Sequence, residues 1–113
     1  MIENPRVEPF LPDEYLHRYP RRADDTETRT AAGGAVVIVQ LERGLTFTLN
    51  ETAALFWQLF DGNTSLAAAV DAVCEQFDAD REEASRDAVD MVRDLEARGF
   101  LTMLDEPFDQ RVE

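Results

Sequence analysis

Side chains able to do chemistry are sparse in this chain, and their spacing says more than their number. The densest group is acidic: Glu83, Asp87, Asp90 and Asp94 recur every three or four residues, which places them in one stripe of a helix. Paired carboxylates such as Asp87 and Asp90 can serve proton transfer, but the simpler reading is a solvated helix flank that is still able to bind a partner. The one histidine, His17, stands in a proline-rich stretch with no cysteine or acidic cluster at ligand spacing. The one cysteine, Cys74, lies beside the apolar stripe of a helix. A small buried thiol is expected there, because a nucleophile needs a base and an electropositive setting. Gly33-Gly34 and Gly44 serve turns, and no lysine follows them to complete a phosphate loop. These residues imply no catalytic site, no metal site and no cofactor.

The elements that must position the acidic stripe are bounded by length and charge. A chain of 113 residues supports one domain with tails. The formal net charge is −13, and all eleven basic residues are arginine. Such a surface repels nucleic acid and anionic membrane unless basic residues cluster, and the only basic pair is Arg21-Arg22. A single cysteine excludes an internal disulfide and fits a reducing compartment. The N-terminus lacks the basic start and apolar core of a signal peptide, and no run approaches the roughly 20 apolar residues of a membrane span. A soluble, cytoplasmic protein is expected, with neither nucleic acid nor membrane as partner.

The central stretch is residues 45–57. Leu45, Phe47 and Leu49 alternate with Thr46 and Thr48, which predicts a strand with one apolar face. Asn50 then caps a helix whose residues 52–60 are polar only at Thr52 and Gln58, so burial on most sides is expected. Upstream, residues 26–30 read as a weak strand and residues 35–41 as a clear β-branched one, with a hairpin turn at Glu42-Arg43-Gly44. Downstream, Asp61-Gly62-Asn63 stops the first helix, and Thr64 or Ser65 caps a second. Leu66, Ala69, Val70, Val73 and Phe77 form the buried face of that helix. Asp80 with Glu83 resembles a capping box that opens a third helix over residues 81–98. At about 100° per residue, its apolar stripe is Ala84, Ala88, Met91, Val92 and Leu95, with Met91 bordering the acidic stripe. Gly99 ends this helix, and residues 100–104 return as an apolar segment on the core.

The predicted fold is α+β: a three-stranded antiparallel meander followed by a three-helix layer, winged-helix-like, over residues 26–104. Residues 1–25 carry four of the five prolines and read as a partly ordered arm, in which Phe10, Leu11, Tyr15, Leu16 and Tyr19 could dock as a small patch. Residues 105–113 read as an acidic tail. A sheet with three helices also admits a winged-helix transcriptional regulator. Charge disfavours it: in the third helix the four arginines are outnumbered by six acidic residues, and the second helix has no basic residue.

The run Phe47-Thr48-Leu49-Asn50-Glu51-Thr52-Ala53-Ala54-Leu55-Phe56-Trp57, followed by Asp61-Gly62, resembles the signature of the PqqD-like peptide chaperones. Phe77, Glu83-Ala84, Asp87, Met91-Val92, Leu95 and Arg98-Gly99-Phe100-Leu101 keep the later spacing, so the resemblance spans residues 33–103. Phe56 and the small Ala84 and Ala88 depart from the pattern and widen the space beside the third helix. The resemblance implies a winged-helix-like recognition element that binds the leader segment of a ribosomally made precursor peptide. It also implies presentation to a modifying enzyme, such as a radical SAM protein or a lasso-peptide protease or cyclase. The leader is expected to add as a strand along the third strand, against the third helix. The residues fit that role. Leu45, Thr46, Phe47, Thr48 and Leu49 offer an extended edge, Met91 an adaptable apolar contact, and Asp87, Asp90 and Asp94 charge for basic leader residues. A structural adaptor subunit of a biosynthetic complex is the alternative that shares this fold.

Overall fold

A computed structural model describes residues 12–110. The chain enters through a short helix α1 (Pro12–Leu16) and a strand β1 (Tyr19–Arg22). The meander follows as β2 (Thr26–Thr30), β3 (Val36–Gln40) and β4 (Leu45–Leu49). Three helices come next, α2 (Glu51–Leu59), α3 (Leu66–Phe77) and α4 (Arg81–Ala97), and then β5 (Leu101–Leu104). Among the described residues no helix is long and apolar enough to cross a membrane.

The sheet order is β2-β3-β4, antiparallel throughout, with Ile38 opposite both Thr28 and Phe47. The three-stranded meander and the helical layer thus match the predicted architecture. The turn between β3 and β4 closes with the Gly44 amide donating to the Gln40 carbonyl over 2.8 Å. Asn50 Oδ1 accepts from the Ala53 amide, Ser65 Oγ from Ala68 and Asp80 Oδ2 from Glu83, so each long helix starts on a side-chain cap. Gly99 ends α4 at φ +83°, and a β-carbon there would come within 2.8 Å of Gln40 Nε2. Only glycine fits both demands.

The core lies between the inner face of the sheet and the helices. Ile38, Phe56, Trp57, Phe60, Val70, Val73, Val92, Leu95 and Phe100 are buried there. Trp57 is buried without cost to its indole N–H, which donates to Thr28 Oγ1 at 2.9 Å. Ala84 and Ala88 are buried in this core together with Ser85 and Val89, which the apolar stripe read from the sequence omits.

The two ends of the chain and the end of α3 differ from the sequence reading. Residues 1–11 of the expected arm, with Phe10 and Leu11, lie outside the described residues, but the rest of it is built into the fold. β1 pairs antiparallel with β5, Pro20 is buried, and Tyr15 and Leu16 pack against the core. The Arg22 guanidinium donates to the Trp57 and Gln58 carbonyls at 2.6 and 3.1 Å and so closes the C-terminal end of α2. A four-residue strand interrupted by proline has too short a pattern to be recognised without its partner. The expected tail also docks in part: the Phe108 amide donates to the Gly62 carbonyl, and the Arg21 guanidinium lies 4.2 Å from the Phe108 ring centroid. Finally, Phe77 is 36% exposed rather than buried, because the last turn of α3 runs past the core.

A chain beginning at Asp25 loses β1 and every Arg22 bond. Its melting temperature is expected to fall by at least about 10 °C. A drop of under about 3 °C by circular dichroism would show β1 to be a passive appendage.

Candidate functional site

β4 is an outer strand. Its inner neighbour is β3, and no strand among the described residues pairs with its other edge. That edge opens onto a groove of about 480 Å³ between β4, the first half of α2 and the middle of α4. Phe47, Leu49, Ala53, Phe56 and Met91 supply its apolar surface, and Thr48, Asn50, Thr52, Asp87, Asp90 and Asp94 its polar rim. The floor is stiff: Phe56 is 2% exposed with its ring 6.2 Å from Phe60, and Phe47 meets Phe100 edge-on at 6.3 Å.

The β3–β4 hairpin and the C-terminal end of α4 are tied together. Gln40 Nε2 donates to the Gly99 carbonyl at 2.9 Å, and Arg43 donates to the Arg98 carbonyl at 3.2 Å and to Gln40 Oε1 at 3.3 Å. Arg98 donates to Asp94 Oδ1 at 2.9 Å and lies 5.4 Å from the Phe47 ring centroid. One end of the groove is therefore closed and close to electrically neutral. At the other end Asp87 and Asp90 are exposed, with no hydrogen bond or ion pair among the described residues.

Of the residues singled out from sequence, Phe47, Thr48, Leu49, Asp87, Asp90, Met91 and Asp94 come together around this groove. Leu45 and Thr46 do not line it; they stand at the exposed start of the strand. Asn50, Thr52, Ala53 and Phe56 line it without having been singled out. Two signals pointed to them: the cap at Asn50, which places the first turn of α2 directly after the edge strand, and the departure of Phe56 from the family pattern beside the third helix. That turn is also where the expected burial of α2 fails, since residues 52–55 are only half-buried. The reason is a second groove of about 600 Å³ on the other flank of α2, lined by Val36, Ala54, Leu55, Gln58 and Phe77 among others. The two grooves meet at Leu49 and Asn50. His17 and Cys74 line neither. What the first groove can do chemically is hold an extended chain: backbone on β4, side chains on an apolar floor, charge on α4.

Comparisons with known proteins identify the chain's relatives. The family model for coenzyme PQQ synthesis protein D (PqqD) matches residues 35–101. A PqqA binding protein of Rhodopseudomonas palustris (strain ATCC BAA-98 / CGA009) is 40% identical over 88 residues, 77% of this chain and 78% of that protein. Another, from strain HaA2, is 37% identical over 94 residues, 83% of this chain and 80% of that one. Among solved structures, TbiB1 in complex with the TbiA(beta) leader peptide superposes with a TM-score of 0.63 at 26% identity, covering 72% of this chain and 93% of that one. A lasso peptide synthetase B1 complexed with its leader peptide gives 0.63 at 27%, covering 74% and 96%.

Because Asp87 and Asp90 are exposed and make no hydrogen bond or ion pair among the described residues, the double variant D87N/D90N is expected to melt within about 2 °C of the parent. Gln40→Leu, which leaves the Gly99 carbonyl without its donor, is expected to lose at least about 5 °C. Thermal denaturation of the two proteins separates rim from clamp, and equal losses would contradict the assignment.

Proposed function

This chain belongs to the PqqD family, and we propose from that premise that it is a peptide-binding chaperone. It captures the leader segment of a ribosomally made precursor peptide and presents it to the enzyme that modifies the rest. It makes no covalent change itself. The observation that carries this reading is the unpaired edge of β4 beside a groove with an apolar floor and an acidic wall.

The leader adds as a further strand along residues 45–49. Backbone hydrogen bonds to β4 supply affinity without regard to side chain. Specificity comes from alternate residues, since every second leader side chain points into the groove toward Phe56 and Met91. Thr46 and Thr48 keep the edge extended without making it broadly adhesive. The PqqA binding proteins and the two leader complexes support the reading through their own ligands. The partner enzyme is of the kind that acts on leader-bearing peptides, such as a radical SAM protein or a lasso-peptide protease or cyclase. The reading places both in the cytoplasm, where the precursor is made.

The test is a titration of isotope-labelled protein with a candidate leader peptide from the same gene neighbourhood. Amide shifts are expected at Leu45–Leu49 and across the groove-facing turns of α4. Ala53→Arg, which fills the groove from a half-buried position, is expected to weaken binding at least about tenfold with little change in melting temperature. Saturable binding whose shifts avoid β4 would overturn strand addition. Absence of binding even with the modifying enzyme present would overturn the function.

A further inference from the structure

The wall that α4 presents to the groove changes character along its length. Asp87, Asp94 and Arg98 fall on one line of the helix, with Asp90 beside it and Met91 nearer the floor. Asp94 is already paired with Arg98, whose guanidinium also covers Phe47. Asp87 and Asp90 are one turn apart and have no hydrogen bond or ion pair among the described residues, and no described arginine or histidine lines the groove. The charge left open to an occupant therefore lies at one end of the groove.

The surface below these carboxylates narrows the choice. Ala53, Phe56 and Met91 form an apolar floor between β4 and the rim. Lysine and arginine match such a surface, because their methylene stems cover apolar area while the charged head reaches the rim. A strand seated on β4 points a side chain into the groove about every 6.8 Å. The rise along α4 from Asp87 to Asp94 is about 10 Å, so two consecutive inward positions fit the wall.

Resting on the leader-binding reading above, we infer that the bound segment carries a lysine or arginine at the inward position opposite Asp87 and Asp90. At the neighbouring inward position, two residues along and opposite Phe47 and Met91, it carries an uncharged apolar residue. The ligand class is thus a cationic–apolar strand rather than any extended peptide. Asp87 and Asp90 are its specificity-determining residues. An acidic segment is excluded by repulsion at the same wall.

The experiment uses the full chain and a fluorescently labelled synthetic peptide spanning a candidate leader from the same gene neighbourhood. Each lysine or arginine of the peptide is changed singly to glutamine and to glutamate. One glutamate replacement is expected to weaken binding at least about tenfold, and D87N/D90N to weaken the parent peptide by a similar factor. The two losses are expected not to add, and D87K/D90K is expected to recover binding of the glutamate peptide. The parent affinity should also fall with salt, and that of D87N/D90N less so. If every substituted peptide binds within twofold of the parent while amide shifts at Leu45–Leu49 persist, this inference fails and strand addition stands. A leader without lysine or arginine that binds at β4 would overturn the inference in the same way. If no peptide shifts β4, both fall.

Discussion

The groove depends on one tie, the buried side chain of Gln40 held against the end of α4. Gln40 is 6% exposed, and its amide is satisfied at both ends, by the Gly99 carbonyl and the Arg43 guanidinium. A buried amide left unbonded costs about 1–3 kcal/mol, so this geometry is strongly preferred over a shifted one. The tie sets the distance between the β3–β4 hairpin and the helix whose acidic wall faces β4. Phe47 against Phe100 and Arg98 over Phe47 add packing to the same corner. Everything the groove offers follows from that fixed corner: a strand edge and a helix flank that meet at one end and diverge at the other.

The divergence is kept by α2. Its C-terminal half is anchored, with Phe56 and Trp57 buried, the indole N–H on Thr28, and its last carbonyls held by Arg22. Its N-terminal half is small-chained, and Thr52, Ala53 and Ala54 leave room on either flank. A helix so apolar would ordinarily be covered. Here its half-buried residues line two open grooves, so part of the apolar composition faces those grooves rather than the core. The strand Tyr19–Arg22 belongs to the same scaffold, because it carries the arginine that closes α2 and seals the edge of β5.

A site of this construction gains little from reactive side chains and much from arrangement. The unpaired edge presents backbone groups that any extended peptide can meet, and selectivity must then come from the floor and wall. Two unpaired carboxylates on a strongly acidic protein would mean little by themselves. Above an apolar floor and beside a strand edge left free among the described residues, they set the charge at one end of the groove.

Much of this was legible in the residues themselves. Alternation at Leu45–Leu49, the β-branched run in β3, the cap at Asn50 and the 3.6-residue stripe of α4 are local patterns. Local patterns determine element type and which residues share a face, so the meander, the helical layer and the neighbourhood of Asp87, Asp90, Met91 and Asp94 were readable. What needed the tertiary structure was every relation between distant elements. Tyr19–Arg22 is a strand because Leu101–Leu104 lies beside it, and nothing in four residues containing a proline says so. Phe77 fits the stripe of α3 yet emerges at the surface, since periodicity gives a direction around a helix but not where the core stops. Ala53 and Phe56 became groove residues only once α2 was wedged between β4 and α4. Local patterns along the chain were enough for the elements and the chemistry along each of them. Which edge stayed free, which flank of α4 faced it, and how far apart they stood were decided by packing, because those distances depend on contacts between residues far apart in the chain.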